Sequence, residues 1–239
     1  VPFDFDRPSL ESSPAAHDAC AIPPDGTARD LELLQPWLPQ NDTILDLGCG
    51  TGRHVRALCH AGYHTQGLDL DPRMIEAARL ADPQAPPERY RMADAAEPFA
   101  DQRYGAILLL NRSLVCFHSH RLATGLFRSV AKALRADGLF LIDNCCTQLW
   151  DQVREGFFAD GISDDGSEQL FFLPGENRFV WRQGEAVEPN NWQVLTSDRI
   201  FRLWSLGEVA LAAAGAGLAI TCAEAEHPLI VCRRTNSIS

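Results

Sequence analysis

Apolar residues along this chain fall into short dense runs, and the segments between the runs switch to helical spacing. "TILDLG" (43–48), "HTQGLDL" (64–70), "ERYRMAD" (88–94), "YGAILLLN" (104–111) and "LFLIDN" (139–144) read as strands. The fourth is continuously apolar, which predicts burial on both faces. "GRHVRALCHAGY" (52–63), "DPRMIEAARLA" (71–81) and "RLATGLFRSVAKALRADG" (121–138) carry apolar residues at helical spacing. The first of these helices is expected to end near Gly62 and the third at Gly138. Pro72 opens the second, where its missing N–H costs nothing. "GTARDLELLQPWL" (26–38) has the same spacing, with Thr27 as its expected N-cap. Strands and helices that alternate in this way predict a parallel sheet with helices on both sides.

The pattern changes on both flanks of this region. Residues 1–27 carry five prolines and read as an extended N-terminal arm. Residues 145–204 are rich in Trp, Phe, Asp and Gly. Within them "EQLFFLPGENRFVWRQG" (168–184) suggests two strands about a "PGEN" turn, and "WQVLTSDRIFRLWS" (192–205) one or two more. This segment is expected to form a small antiparallel cap inserted after the fifth strand. "LGEVALAAAGAGL" (206–218) then reads as a helix. "AITCAEA" (219–225) and "PLIVCRR" (228–234) read as a terminal strand pair turned at "EHP". The core domain is thus expected to comprise residues 28–144 and 205–239.

One stretch demands a chemical explanation. In "ILDLGCGTGRH" (44–54), Gly48, Gly50 and Gly52 follow a strand at every second position. Glycine loses more backbone entropy on folding than any other residue, so three in five residues imply a forbidden turn or a closely approaching ligand. Ligands of open parallel sheets bind outside the carboxyl ends of the strands. A bare turn that opens a helix offers N–H donors there. Asp69 ends the second strand about 21 residues after Gly48, which suits an acid accepting from ribose hydroxyls. A ligand with an adenosine moiety is implied. The turn has no G-K-[ST] continuation and does not complete G-x-G-x-x-G, because Arg53 and His54 follow Gly52.

Taken together, "ILDLGCGTGRH" and "GLDLDPRMIEAAR" resemble the class I S-adenosylmethionine-dependent methyltransferases. The resemblance covers residues from about 30 to 144, and the helix and strands at 205–234 resemble the end of that fold. It implies an α/β, doubly wound, mainly parallel seven-stranded sheet whose last strand is antiparallel. It also implies S-adenosylmethionine as cofactor. On this resemblance Asp46, Gly48, Cys49 and Gly50 would contact its methionine end, Asp69 its ribose diol and Leu70 its adenine. Asp94 would meet the adenine amino group, with Ala95 offering a backbone N–H. Asn111 would lie beside the methionine portion and face the substrate. Members of the family often carry Phe-Asp where this chain has Tyr104-Gly105.

A sulfonium methyl is already activated, so such an enzyme mainly aligns a nucleophile and excludes water. A general base helps when the acceptor is a hydroxyl. His118, in "NRSLVCFHSH", is the candidate base. His120, His17 and His54 are weaker candidates, and all four histidines also fit purely structural or surface roles. Arg112, directly after a buried strand, is a candidate partner for a substrate carboxylate. Asn144, Trp150 and Trp181 are candidate substrate contacts. The aromatic residues of the cap serve equally well as its own small core.

Composition narrows the partners. The chain has 239 residues and a formal net charge of −11. An acidic surface disfavours nucleic acid and anionic membranes. None of its eight cysteines forms a C-x-x-C pair, so no metal site is expected and reduced thiols in a cytoplasmic protein are. No apolar stretch reaches membrane-spanning length, and because the chain starts at Val1 without Met, a few native residues are expected to precede it. The expected function is methyl transfer to an oxygen or nitrogen of a small molecule, by a monomer or homodimer. A cyclase or lyase using the same sulfonium cofactor, a non-catalytic cofactor-binding protein and a dinucleotide oxidoreductase are the alternatives.

Overall fold

A computed structural model of the chain describes residues 26–156, 159–223 and 227–235. The arm expected at 1–27 lies outside them up to residue 25, and with it His17; Phe157, Phe158 and part of the "EHP" turn also lie outside. Six helices and eleven strands occur among the described residues. The helices are α1 (Gly26–Leu34), α2 (Arg53–His60), α3 (Pro72–Ala81), α4 (His120–Ala133), α5 (Cys145–Arg154) and α6 (Leu206–Gly215). The strands are β1 (Ile44–Leu47), β2 (Thr65–Asp69), β3 (Tyr90–Met92), β4 (Tyr104–Leu109), β5 (Leu134–Asp143), β6 (Gly161–Ile162), β7 (Glu168–Phe172), β8 (Arg178–Gln183), β9 (Ile200–Arg202), β10 (Leu218–Cys222) and β11 (Leu229–Arg234).

Seven strands form the main sheet in the order β10-β11-β5-β4-β1-β2-β3. β1 to β5 are parallel, and β11 runs antiparallel between β5 and β10. This is the α/β, doubly wound arrangement expected from the alternating pattern. Side chains alternate across each strand. Leu45, Leu47, Ile107 and Leu109 therefore face α4 and α6, where they meet Phe127 and Val209. Ile44, Ala106 and Leu108 face the opposite way, towards Leu34 of α1 and Leu58 of α2. All these side chains are essentially inaccessible to water, and burying each large aliphatic contributes about 1.5–3 kcal/mol.

Several boundaries differ from expectation. α1 already contains Thr27, whose hydroxyl accepts from Arg53 Nη1 at 2.8 Å instead of capping the helix. α4 stops at Ala133, five residues before Gly138, because Leu134 turns extended and pairs with Tyr104. The segment after β5 opens with a helix, α5, before any cap strand forms. Gly105 leaves the space that Asp42 occupies, and Asp42 in turn pairs with Arg135 at 2.7 Å.

The four-stranded sheet β6-β7-β8-β9 is antiparallel and built from the chain between β5 and α6. Its faces differ. Val180 and Ile200 pack with Phe171 and Leu173 on one side. On that side Arg182 binds Asp198 through two hydrogen bonds (2.7 and 2.8 Å) and also reaches the carbonyls of Asn191 and Gln193. Phe179 and Phe201 face the other way, towards Leu149 of α5. Two indoles join this sheet to the main body: Trp204 Nε1 donates to the Leu114 carbonyl (3.0 Å), and Trp150 Nε1 to that of Trp204 (3.1 Å).

Gly125 sits inside α4, where glycine ordinarily costs stability. A Cβ there would lie 2.3 Å from the Ala96 carbonyl oxygen. Gly125→Ala is therefore expected to destabilise by about 1–3 kcal/mol through overpacking, although alanine improves helix propensity by about 1 kcal/mol. Urea denaturation gives the sign; a stabilised variant would show that α4 can move away from the 94–97 turn without cost.

Candidate active site

The parallel register Leu47↔Leu68 brings the ends of β1 and β2 together. Gly48, Gly50 and Gly52 all adopt positive φ (65°, 52° and 80°), so the chain does need conformations that side chains disfavour. Gly52 then caps α2. Asp69 joins the two strand ends: its Oδ2 accepts from the Gly50 N–H at 2.8 Å, and its Oδ1 from that of Asp71 at 2.9 Å. Asp71 caps α3 by accepting from the Arg73 N–H, and hydrogen bonds from Arg73 hold its carboxyl below the usual range. Asp94 Oδ1 accepts from the Ala96 N–H at 2.8 Å, shaping the turn after β3.

These turns border a cavity of about 340 Å³. Of the residues expected at the cofactor, Gly48, Gly50, Asp69, Leu70, Asp94, Ala95 and Asn111 line it. Asp46 and Cys49 lie behind it. Asp46 is on the α1–α2 face of β1 and 2% exposed. Burial, opposed in part by the neighbouring charges of His54 and Arg53, raises its pKa to about 6. Its Oδ2 meets no hydrogen-bond partner among the described residues. Cys49 is buried against Gly67, and that burial pushes its thiol pKa well up.

The substrate-side expectations divide. Arg112 and Trp181 line the cavity. Asn144 does not: it is buried, its Nδ2 donates to the His227 carbonyl (2.9 Å), and it thereby joins the end of β5 to the turn before β11. Trp150 packs between α5 and the four-stranded sheet, outside the cavity lining. His118 is fully buried and, with His120, borders a separate polar hollow beside Glu176 and Arg178. The reason is local: the 3₁₀ turn at Ser113–Cys116 directs Val115, Cys116 and Phe117 to the cavity, and the next residues turn away into α4. His54 pairs with Asp30 at 2.8 Å and ties α2 to α1.

The sequence pattern missed Phe179, Phe201, Arg199 and Gln152, which also line the cavity. Two-residue alternation within β8 places Phe179 beside Trp181, so one of them was accessible once the strand was drawn. Which face looked at the cavity was not. Among the described residues, no group of three or more His, Cys, Asp or Glu is placed to hold a metal. No helix among them is long and apolar enough to cross a membrane.

Residues 45–142 match the family model described as "Methyltransferase domain". That span holds the glycine turn, Asp69 and Asp94. Over that span the chain is similar to methyltransferase domains. It is 27% identical over 165 residues to the putative methyltransferase YqeM of Bacillus subtilis, covering 65% of this chain and 66% of that one. The chain spans 66% or less of the length of the curated relatives it matches. Two solved structures share the fold at low identity. One is an S-adenosylmethionine-dependent methyltransferase of Clostridium acetobutylicum (TM-score 0.65, 17% identity, covering 92% of this chain and 94% of that one). The other is the sugar N-methyltransferase KedS8 of Streptoalloteichus sp. (TM-score 0.63, 16% identity, covering 99% and 97%). The site combines a bare glycine turn with carboxylates at the ends of the neighbouring strands, features that suit an adenosine ligand.

Asp46 generates a pH prediction. Its native pKa lies above the ordinary value near 3.8, so the folded chain keeps this proton to higher pH than the unfolded chain. The contribution of the protonated group is full below about pH 4 and is lost as pH rises towards about 6. Relative to Asp46→Asn, the wild type is expected to lose on the order of 1–3 kcal/mol across that window. Parallel urea titrations at half-unit pH steps would show a constant difference if Asp46 were ionised throughout.

Proposed function

We propose that this protein is a class I S-adenosylmethionine-dependent methyltransferase that transfers the methyl group of S-adenosylmethionine to a nitrogen or oxygen atom of a small molecule. One observation carries the proposal: a single cavity has a glycine-and-carboxylate end continuous with an aromatic end formed by Phe117, Phe179, Trp181 and Phe201. The four-stranded sheet would act as a substrate cap, and enclosure by it favours a small acceptor over a macromolecule. The likeness to a sugar N-methyltransferase supports the same class of acceptor.

When bound, the cofactor supplies an activated methyl group on sulfur. Asp69 would accept from the ribose hydroxyls while its bonds to Gly50 and Asp71 keep it oriented. Gly48 and Gly50 would let the ligand lie against main chain. Leu70 and Ala95 would flank the adenine, with Asp94 at its amino group. Asn111 would stand where the two ends of the cavity meet. The aromatic wall would exclude water and fix the acceptor's approach.

With His118 directed elsewhere, no His, Asp or Glu among the described residues lines the aromatic end. The acceptor would then arrive as a neutral amine or an ionised hydroxyl, and positioning would supply most of the rate.

Incubation with methyl-labelled cofactor and a metabolite extract is expected to yield a labelled small molecule. Label recovered only in cofactor-derived products would favour cyclase or lyase chemistry, and tight binding without any turnover a non-catalytic role. Asp69→Ala is expected to weaken binding of S-adenosylhomocysteine by about 1–3 kcal/mol, from loss of hydrogen bonds to a charged acceptor. Titration calorimetry showing unchanged affinity would remove Asp69 from the cofactor site.

A further inference from the structure

The two ends of the cavity differ in charge. Asp69, Asp71 and Asp94 stand at the glycine end, and the charged residues lining the aromatic end are Arg112 and Arg199. No carboxylate among the described residues lines that end, in a chain with 32 acidic and 21 basic residues. Arg199 lies over the Phe201 ring, its guanidinium carbon 5.0 Å from the centroid.

Arg112 is held in an unusual way. It and Asn111 are consecutive non-glycine residues at left-handed φ, 60° and 57°. Such conformations persist where surrounding structure over-determines them, and they cluster at functional sites. Here Asp143 holds the second of the two, Arg112. At the end of β5, its Oδ2 accepts from the Arg112 main-chain N–H at 2.7 Å. That carboxylate engages the main chain and leaves the guanidinium without a hydrogen bond or ion pair among the described residues. The Arg112 charge acts on Asp143, but no acid bonds the guanidinium itself, and an arginine so placed at a cavity wall suits an anion arriving with a ligand, because its planar fork matches a carboxylate or phosphate.

We infer that the methyl acceptor is an anionic molecule with an aromatic or apolar body. Arg112 binds its carboxylate or phosphate, Phe179, Trp181 and Phe201 hold its body, and Asp143 is a positioning residue that keeps Arg112 turned into place. The inference rests on the methyl-transfer reading and specifies its substrate class. The anion has a second possible source, the carboxylate of the cofactor's own methionine portion, which the test separates.

The probes are phenylacetate, phenyl phosphate and neutral phenylacetamide, titrated by calorimetry into protein saturated with S-adenosylhomocysteine. At least one anion is expected to bind tenfold or more tightly than the amide. Arg112→Ala should bring the probes within twofold of one another, and Arg112→Lys should keep part of the preference. Asp143→Ala should reduce the preference severalfold. Asp143→Asn, whose amide oxygen still accepts from the Arg112 N–H, should restore it, which a general loss of stability would not do. S-adenosylhomocysteine affinity should stay within about twofold in all four variants.

The inference is overturned if wild type binds the anions no better than the amide, binds none of the probes, or keeps its preference in Arg112→Ala. A tenfold loss of S-adenosylhomocysteine affinity in Arg112→Ala would assign Arg112 to the cofactor carboxylate and also overturn it. Failure of the wild type to bind S-adenosylhomocysteine would instead remove the methyl-transfer reading itself.

Discussion

A pair of hydrogen bonds to one carboxylate organises the site. Asp69 accepts from the Gly50 N–H through one oxygen and from the Asp71 N–H through the other. The turn after β1 and the turn after β2 are thereby tied at one point. Parallel pairing of the two strands brings their ends together but leaves the loops free; the carboxylate removes that freedom. The glycines make the arrangement possible, since three residues here need positive φ. Asp69 thus serves the loop geometry before it serves any ligand, and a ligand's hydroxyls would meet an acceptor already oriented.

The second constraint is the attachment of the four-stranded sheet. A small sheet with one wet face is marginally stable by itself. Here the outer face is closed by a loop gathered around Arg182, whose side chain and that of Asp198 are 1% and 3% exposed. A buried ion pair of this kind is tolerated because every donor finds an acceptor, and removing one partner would cost about 3–5 kcal/mol. The inner face is left apolar, and the Trp204 and Trp150 hydrogen bonds set its distance from the main body. The aromatic end of the cavity is the space that remains.

Charge follows the same division. Carboxylates collect where the parallel strands end, and arginines collect where the added sheet meets β4. The overall negative charge of the chain gives no hint of this local reversal. Asp143 is engaged by main chain and does not line the cavity; burial, partly offset by its bond from the Arg112 N–H and by the Arg112 charge, raises its pKa to about 6.

The chain's own pattern determined the α/β class, the succession of strands and helices in the amino-terminal half, and the glycine turn with its partner acid. These are local matters: apolar periodicity marks the elements, and a turn that only glycine can make announces itself in three residues. Helix ends were less legible, as Ala133 shows, because strand pairing with Tyr104 overrode the stop expected at Gly138. Side-chain destinations were decided by tertiary structure alone. His118 and Cys116 are two residues apart, yet one borders a polar hollow and the other the cavity. Trp150 and Trp181 belong to one aromatic segment, yet only the second reaches the site. Asn144 joins two strand ends that are distant in sequence, whereas Asp143, its neighbour, holds Arg112. A sequence records which residues are capable of such contacts; the packing of the two sheets and the turns between them selects which contacts are made.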